Sequence, residues 1–96
     1  MPPRLVCLDG HADISLDRAL VVVGRHRWCD VRIASPWVSR HHCYLSPCCG
    51  GVLVCDLGST NGTWINGRRV EQEVMFPGDV LVIADCRYHL EIRRVE

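Results

Sequence analysis

The stretch Asp56-Leu-Gly-Ser-Thr-Asn-Gly-Thr-Trp-Ile-Asn-Gly67 constrains the fold of this chain more than any other. An alternating apolar run, Val52 to Leu57, leads into it, and a cluster of glycine and small polar residues separates that run from the apolar pair Trp64-Ile65. Asn66-Gly67 between extended segments is the strongest short hairpin signal, because both central residues of a type I′ turn need positive φ. The sequence therefore predicts a β-hairpin that turns at Asn66-Gly67.

The remainder of the chain consists of short extended runs that end at turn residues. The predicted strands are Arg4–Leu8, Ile14–Leu16, Ala19–Val23, Val31–Ile33, His42–Leu45, Val52–Leu57, Trp64-Ile65, Arg69-Val70, Val80–Ala84 and Tyr88–Val95. Asp17-Arg18 is expected to form a hairpin turn, Pro47–Gly51 a loop and Phe76–Asp79 a turn. No segment has the 3.6-residue period of a helix, so the pattern predicts an all-β sandwich. We find no linker or repeat and expect one domain over residues 1–96.

Composition excludes several classes of function. The chain has 96 residues, and eleven basic residues balance eleven acidic ones, so the formal net charge is zero. A neutral chain without a basic run argues against a nucleic-acid binder, which relies on neutralising phosphates. No apolar run is long enough for a membrane span or the core of a signal peptide. We therefore expect an intracellular, cytoplasmic protein without nucleic-acid or membrane partners.

Seven cysteines are many for this length, at positions 7, 29, 43, 48, 49, 55 and 86. Their number is odd and the chain has no export signal, so a disulfide framework is not expected. Cys43 stands beside two histidines, but there is no Cys-x-x-Cys, and the adjacent pair Cys48-Cys49 is poorly arranged for shared zinc ligation. We expect no metal and no cofactor, and interpret most of these thiols as small core residues.

Three polar clusters stand at predicted strand ends: Gly24-Arg25, Ser39-Arg40-His41-His42 and Ser59-Thr60-Asn61-Gly62. The loops of a β-sandwich gather at its two ends, so these clusters can meet. An arginine, hydroxyls, an amide and free backbone N–H groups would together bind a phosphate. Taken singly, each residue also has an ordinary structural interpretation, and for His42 we adopt it: a hydrogen-bonded, partly buried histidine.

In combination, the clusters strongly resemble the forkhead-associated (FHA) domain, a phosphothreonine-recognition module. The matching motifs are Gly24-Arg25, Ser39-x-x-His42, Asp56-Leu-Gly-Ser-Thr-Asn-Gly-Thr63 and Asn66-Gly67, with Asp30-Val-Arg-Ile33 and Pro77-Gly-Asp79 in their expected places. The similarity extends from about Leu5 to Ile92. It implies a β-sandwich of about eleven short, mainly antiparallel strands with the recognition loops at one apex.

The resemblance also implies roles for individual residues. Arg25, Ser39 and Thr60 would contact the phosphate, Arg40 would add a further contact, and Asn61 would hold the peptide main chain. These five residues form the expected phosphopeptide-binding site.

Other motif residues would be structural. His42 would brace the loop that carries Ser39. Gly24 and Gly62 would serve the backbone conformation and not contact the ligand, and Asn66-Gly67 would shape the neighbouring turn. Trp37 stands where many family members read the side chain three positions after the phosphothreonine. It favours an apolar or aromatic residue there, or else covers the base of the loop.

The function implied is a phosphothreonine-dependent adaptor that acts downstream of a serine/threonine kinase and is not an enzyme. One alternative is a hydrolase using Ser39, His42 and Asp56, but no nucleophile elbow or oxyanion-hole motif accompanies them. Another is a phosphorylation-independent scaffold or oligomerisation module, with Trp28 or Trp37 as its anchor. The presence of Arg25 and Ser39 favours phosphate dependence.

Overall fold

The structure, a computed structural model, describes residues 2–92, so the last residues of the predicted strand Tyr88–Val95 lie outside the described part. Within it there is no helix, and therefore none with the length and hydropathy needed to span a bilayer. The described residues form eleven strands: β1 Arg4–Cys7, β2 Ile14–Ser15, β3 Val21–Gly24, β4 Val31–Arg32, β5 Cys43–Cys48, β6 Gly51–Asp56, β7 Thr63–Ile65, β8 Arg68–Arg69, β9 Gln72–Met75, β10 Val80–Ile83 and β11 Cys86–Glu91.

The strands form two sheets. One has six strands in the order β2-β1-β11-β10-β7-β8, and the other has five in the order β4-β3-β5-β6-β9. Within residues 2–92 the strand pairs are antiparallel except β3 with β4, which is parallel. The predicted sandwich of about eleven mainly antiparallel strands is confirmed.

The core lies between the two sheets and is built from alternate residues of each strand. Leu5, Leu45, Leu81 and Tyr88 are among the side chains with no exposed surface. Successive residues of a strand point to opposite faces, so the alternating pattern of the sequence delivers one apolar face per sheet. Each fully buried aliphatic side chain of this kind contributes about 1.5–3 kcal/mol, which holds the sheets face to face.

The hairpin at Asn66-Gly67 is confirmed. Asn66 has a φ of 51° and Gly67 a φ of 80°, and Ile65 pairs with Arg68 across the two-residue turn. The Asn66 side chain accepts a hydrogen bond from the N–H of Val80 at 2.9 Å, so the turn is also tied to the first residue of β10.

The predicted loop Pro47–Gly51 is wrong, because strands β5 and β6 continue into it. A two-residue turn at Cys49-Gly50, with φ angles of 54° and 77°, joins the strands, and Pro47 pairs with Val52. Proline has no backbone N–H to donate to a neighbouring strand. However, β3 pairs with β5 only as far as Leu45, so at Pro47 strand β5 has a free edge, where proline is tolerated.

Two further elements differ from expectation. Asp17-Arg18 is not a hairpin turn, because β2 belongs to the six-stranded sheet and β3 to the other, so the connection crosses between sheets. Strand β9, Gln72–Met75, was not predicted; it is an edge strand that includes a glutamine and a glutamate. Polar and charged residues are common on edge strands, and they mask the alternation that identifies a strand.

The strand register brings the three polar clusters to one end of the sandwich. Val23, Cys43 and Asp56 lie in one row across β3, β5 and β6, and in the other sheet Ile83 pairs with Thr63. The connections 25–30, 33–42 and 57–62 therefore emerge together, and we call this end the apex. Arg4 pairs with Glu91 and so lies at the opposite end.

At Gly24 the backbone of β3 approaches the 39–41 segment too closely for a side chain. A Cβ atom here would lie 2.1 Å from the carbonyl oxygen of Arg40 and 2.9 Å from the Cys29 sulfur. The approach allows the N–H of Arg25 to donate to Ser39 O at 3.0 Å and that of His26 to Arg40 O at 3.1 Å. Glycine at position 24 therefore joins two apex loops.

We predict that Gly24→Ala separates these loops and destabilises the domain by about 1–3 kcal/mol, because its contact is with backbone that cannot rotate away. Hydrogen exchange should show faster exchange of the Arg25 and His26 amides, together with a lower midpoint of urea unfolding.

Gly10→Ala is the control, since Gly10 has a φ of +85° and open space around its Cβ position. It should lower stability through backbone strain alone and leave the two amides protected. Unchanged protection in Gly24→Ala would contradict the close approach.

Candidate functional site

A buried histidine joins two apex loops. His42 has no exposed surface; its Nδ1 accepts the N–H of Ser39 at 3.0 Å, and its Nε2 lies 2.7 Å from the carbonyl oxygen of Gly62. Because Nδ1 is an acceptor, the ring proton is on Nε2 and is donated to Gly62. The neutral imidazole thus fixes the 39–42 segment against the 57–62 loop.

The carboxylate of Asp56 organises the turn that follows β6. It accepts hydrogen bonds from the N–H groups of Gly58 and Ser59, at 3.0 and 2.9 Å, and from the hydroxyls of Ser59 and Thr63. Burial alone would raise the pKa of Asp56, but the bonds from Ser59 and Thr63 outweigh it and the net pKa is lowered. Its stabilising effect is therefore complete above the usual aspartate pKa of about 3.9 and is lost only as pH falls through the lowered value.

The cluster pattern suggested that the Ser59 hydroxyl could donate to an external anion. The structure instead gives Ser59 a structural role. Its side chain is buried; the hydroxyl donates to Asp56 and accepts the N–H of Gly62 at 3.0 Å. Its carbonyl accepts from Arg69, whose guanidinium also lies over the ring of Trp64. The loop 57–62 is thus held from several sides.

Arg25, Ser39 and Thr60 lie together on the apex. Arg25 is exposed, and its Nε donates to the carbonyl oxygen of Val38 at 3.0 Å, which orients the guanidinium. The Ser39 hydroxyl accepts the N–H of Thr60 at 3.2 Å, so its own proton remains available for donation. Within residues 2–92, the terminal guanidinium nitrogens of Arg25 and the Thr60 hydroxyl have no hydrogen-bond partner.

Asn61 and Arg40 border this group. The Asn61 Nδ2 donates to the carbonyl oxygen of Trp37 at 2.7 Å, while its Oδ1 meets no donor in the described part of the chain. Arg40 exposes its side chain, and its carbonyl is held by the His26 N–H and the Cys29 thiol. The structure thus brings together the five residues expected at the phosphopeptide site.

Trp37 faces solvent and does not cover the base of the loop, since 60% of its surface is exposed. It lines an open depression of about 230 Å³ with Asn61, Ala84 and Asp85. The hydroxyl of Ser35 donates to Asp85 at 2.8 Å and fixes that carboxylate. Asp85 was not singled out from the sequence, because only the β10–β11 turn brings it close to Trp37.

The geometry does not support a hydrolase. His42 receives the backbone N–H of Ser39 and not its hydroxyl, and its other ring nitrogen is engaged by Gly62. The Asp56 carboxylate is bonded to Ser59 and Thr63. These residues therefore do not form a catalytic triad, in which a nucleophile is hydrogen-bonded to a base and the base to an orienting acid.

The cysteines likewise do not assemble a metal site. Cys43 is fully buried and burial raises the pKa of its thiol, whereas His41 beside it in sequence is exposed. Across residues 2–92, no group of three or more potential ligands is arranged to hold a metal ion.

Comparison with known proteins identifies the family. The family model described as "FHA domain" matches residues 21–84, which include the three apex loops. Among curated relatives, the ABC transporter ATP-binding/permease protein Rv1747 of Mycobacterium tuberculosis is 40% identical over 68% of this chain. The oxoglutarate dehydrogenase inhibitor of Corynebacterium diphtheriae is 36% identical over 75% of it. The chain spans only 8% of the first protein and 50% of the second.

Solved structures show the same fold over nearly the whole chain. The FHA-1 domain of M. tuberculosis Rv1747 is 32% identical, with a TM-score of 0.74 over 98% of this chain and 100% of that domain. The FhaA FHA domain, solved in complex with the intracellular domain of Rv3910, is 27% identical with a TM-score of 0.84 over 93% of this chain and 99% of that one. A structure from a study of phosphothreonine-dependent FHA domain interactions is 25% identical, with a TM-score of 0.89 over 99% and 100%. From its motifs, its two-sheet sandwich and these matches, the chain belongs to the FHA domain family.

Proposed function

We propose that this domain binds phosphothreonine peptides, with Arg25, Ser39 and Thr60 on the phosphate and Arg40 as a further contact. The observation that carries the proposal is the orientation of unused donors at one point of the apex. Val38 orients the Arg25 guanidinium, and the N–H of Thr60 orients the Ser39 hydroxyl, so both are set before a ligand arrives.

These donors match the chemistry of a phosphorylated side chain. A phosphothreonine carries about −1.5 to −2 charge at pH 7 and three acceptor oxygens. Arginine offers a planar fork of N–H donors, and each charge-assisted hydrogen bond contributes roughly 1.5–3 kcal/mol. An extended peptide loses conformational freedom on binding, so we expect micromolar affinity, about −8 kcal/mol.

Asn61 is proposed to hold the peptide main chain. Since its Nδ2 is bonded to Trp37, the Oδ1 atom remains to accept a main-chain N–H of the peptide. This contact would fix the direction of the peptide without reading its sequence.

Comparison with relatives supports this assignment. FHA domains are non-enzymatic binding modules, and one solved neighbour comes from a study of phosphothreonine-dependent interactions. We infer that this chain needs no cofactor, catalyses no reaction and recruits a partner that a cytoplasmic serine/threonine kinase has phosphorylated.

We predict that a phosphothreonine peptide pool binds the domain, while its unphosphorylated form does not bind measurably and a phosphoserine pool binds more weakly. Arg25→Ala and Ser39→Ala should each reduce phosphothreonine affinity at least about tenfold, because each removes a donor to a charged group. Fluorescence anisotropy titrations would measure the dissociation constants after circular dichroism has shown that the variants are folded.

Arg4→Ala is the matched control: it removes the same charge at the opposite end of the sandwich, from a surface ion pair with Glu91. It should leave affinity unchanged within about twofold, because exposed ion pairs contribute little. Equal binding of all three pools, or wild-type affinity in Arg25→Ala, would overturn the proposal. The domain would then be a phosphorylation-independent scaffold or oligomerisation module.

The depression beside Asn61 is proposed to select the residue three positions after the phosphothreonine. Trp37 alone favours an apolar or aromatic side chain, but Asp85 adds a carboxylate to the same depression. An arginine or lysine side chain satisfies both, because its apolar stem packs on the indole and its charged head reaches the acid.

We predict that a peptide with arginine at this position binds about two- to fivefold more tightly than the same peptide with alanine. Asp85→Asn should reduce that preference, because the charged head loses its acidic partner, while leaving the alanine peptide unaffected, and Trp37→Ala should reduce binding of the arginine and phenylalanine peptides. Isothermal titration calorimetry of the three peptides would measure these differences. An unchanged rank order in both variants would show that the depression does not contact the peptide.

A further inference from the structure

The positive charges of this neutral chain are unevenly paired. Among the described residues, four arginines form ion pairs with carboxylates: Arg4 with Glu91, Arg18 with Asp30, Arg68 with Glu73 and Arg87 with Asp9. The other arginines in residues 2–92 have no carboxylate partner there, and they are Arg25, Arg27, Arg32, Arg40 and Arg69. All five lie on or beside the apex loops, so this end of the domain is basic although the whole chain is not.

Beyond the proposed phosphothreonine site, these charges continue along the β3–β4 connection. We call the surface formed by His26, Arg27, Arg32 and His41 the basic shelf. The rings of His26 and His41 are stacked with their centroids 5.3 Å apart, which joins the β3–β4 connection to the segment after Arg40. The stacked rings therefore connect the two segments that carry the shelf.

Each shelf side chain is oriented by a contact of its own. The guanidinium of Arg27 lies 5.7 Å from the centre of the Trp28 ring, and Nε of Arg32 donates to the carbonyl oxygen of Arg25 at 3.1 Å. Nδ1 of His26 accepts the backbone N–H of Trp28 at 3.1 Å, which leaves Nε2 of the His26 imidazole as an N–H donor. The donors of the shelf are therefore held in place and remain available to a ligand.

No acid in the described part of the chain neutralises the shelf. The nearest in sequence, Asp30, pairs with Arg18 through one oxygen and accepts the N–H of Val22 at 2.8 Å through the other. Like charges gathered on a surface repel one another, and an anionic ligand would relieve that repulsion.

We propose that the basic shelf binds a second phosphate, carried by another phosphorylated residue of the same phosphothreonine peptide. This rests on the proposed function, in which the first phosphate is already met by Arg25, Ser39, Thr60 and Arg40. A phosphate has three acceptor oxygens, so those residues satisfy it and leave the shelf unused.

The reach of an extended peptide fits this arrangement. Successive Cα atoms are 3.8 Å apart, so the Cα of Arg27 lies at most about 7.6 Å from that of Arg25, and His41 directly follows Arg40. An extended chain advances about 3.3 Å per residue, so a residue two to four positions from the phosphothreonine lies roughly 7–13 Å away. Its side chain would stand over the shelf.

A phosphate suits the shelf better than a carboxylate does. Arg27 and Arg32 each present a guanidinium, and the stacked imidazoles add N–H donors. These donors are more than the two oxygens and single charge of a carboxylate can satisfy. Next to these donors, Arg27 and Trp28 line an open depression of about 400 Å³, and 78% of the Trp28 surface is exposed. The indole offers an apolar wall for the stem of the phosphorylated side chain.

The test compares peptides that differ only at one position. One carries phosphothreonine alone, a second adds glutamate and a third adds phosphothreonine, placed two, three or four residues before or after the first. At about 0.15 M salt, at least one doubly phosphorylated peptide should bind about tenfold more tightly than the singly phosphorylated one, with the glutamate peptide gaining less. The gain should shrink as salt is raised, because exposed charges are screened.

The double variant Arg27→Ala/His41→Ala should lose that gain and still bind the singly phosphorylated peptide within about twofold of wild type. Arg4→Ala, a charge-matched control, should keep the gain. Equal affinity for singly and doubly phosphorylated peptides at every spacing, or a gain that survives in the double variant, would overturn the proposal. Failure of the singly phosphorylated peptide to bind, or its indifference to Arg25→Ala, would instead reject the proposed function itself.

Discussion

The apex depends on one buried imidazole. His42 receives the N–H of Ser39 on one ring nitrogen and donates from the other to Gly62, so a single side chain fixes the relative positions of two loops. A buried group that loses such partners leaves unsatisfied polar atoms, each of which destabilises the fold by about 1–3 kcal/mol. Within the 57–62 loop, the carboxylate of Asp56 accepts the N–H groups of Gly58 and Ser59 and so fixes the backbone of the turn. Because these polar groups are used internally, the donors left at the apex are the terminal guanidinium nitrogens of Arg25 and the hydroxyls of Ser39 and Thr60.

Pre-organisation explains how loops in so small a domain can recognise a peptide. Arg25 and Ser39 are each oriented by a hydrogen bond from or to the neighbouring loop, so binding requires little further ordering of the protein. The arginine charges are distributed in a similar way. Within residues 2–92, four arginines form ion pairs with carboxylates, whereas the arginines of the apex have no carboxylate partner. A neutral domain can thus present a basic recognition end, which favours phosphorylated partners over unmodified ones.

The sequence predicted those features that local chemistry determines. Asn66-Gly67 identified its hairpin because positive φ angles restrict the residue type, and the ordered motifs identified the family and its candidate residues. Features that depend on tertiary pairing were missed: the crossing between sheets after β2, the polar edge strand β9 and the proximity of Asp85 to Trp37. Ser59 and Thr60 illustrate the limit most clearly. They are adjacent and chemically alike, yet the turn buries the first hydroxyl and exposes the second.

The central claim is that the phosphate is held at the apex by loops already in place. Nuclear magnetic resonance of the ¹⁵N-labelled domain, titrated with one phosphothreonine peptide, tests this most directly. We expect large shifts of the Arg25, Ser39 to His41 and Thr60-Asn61 amides, with those of Arg4 to Val6 at the opposite end unchanged. Shifts centred away from the apex, or spread across the core strands, would contradict it.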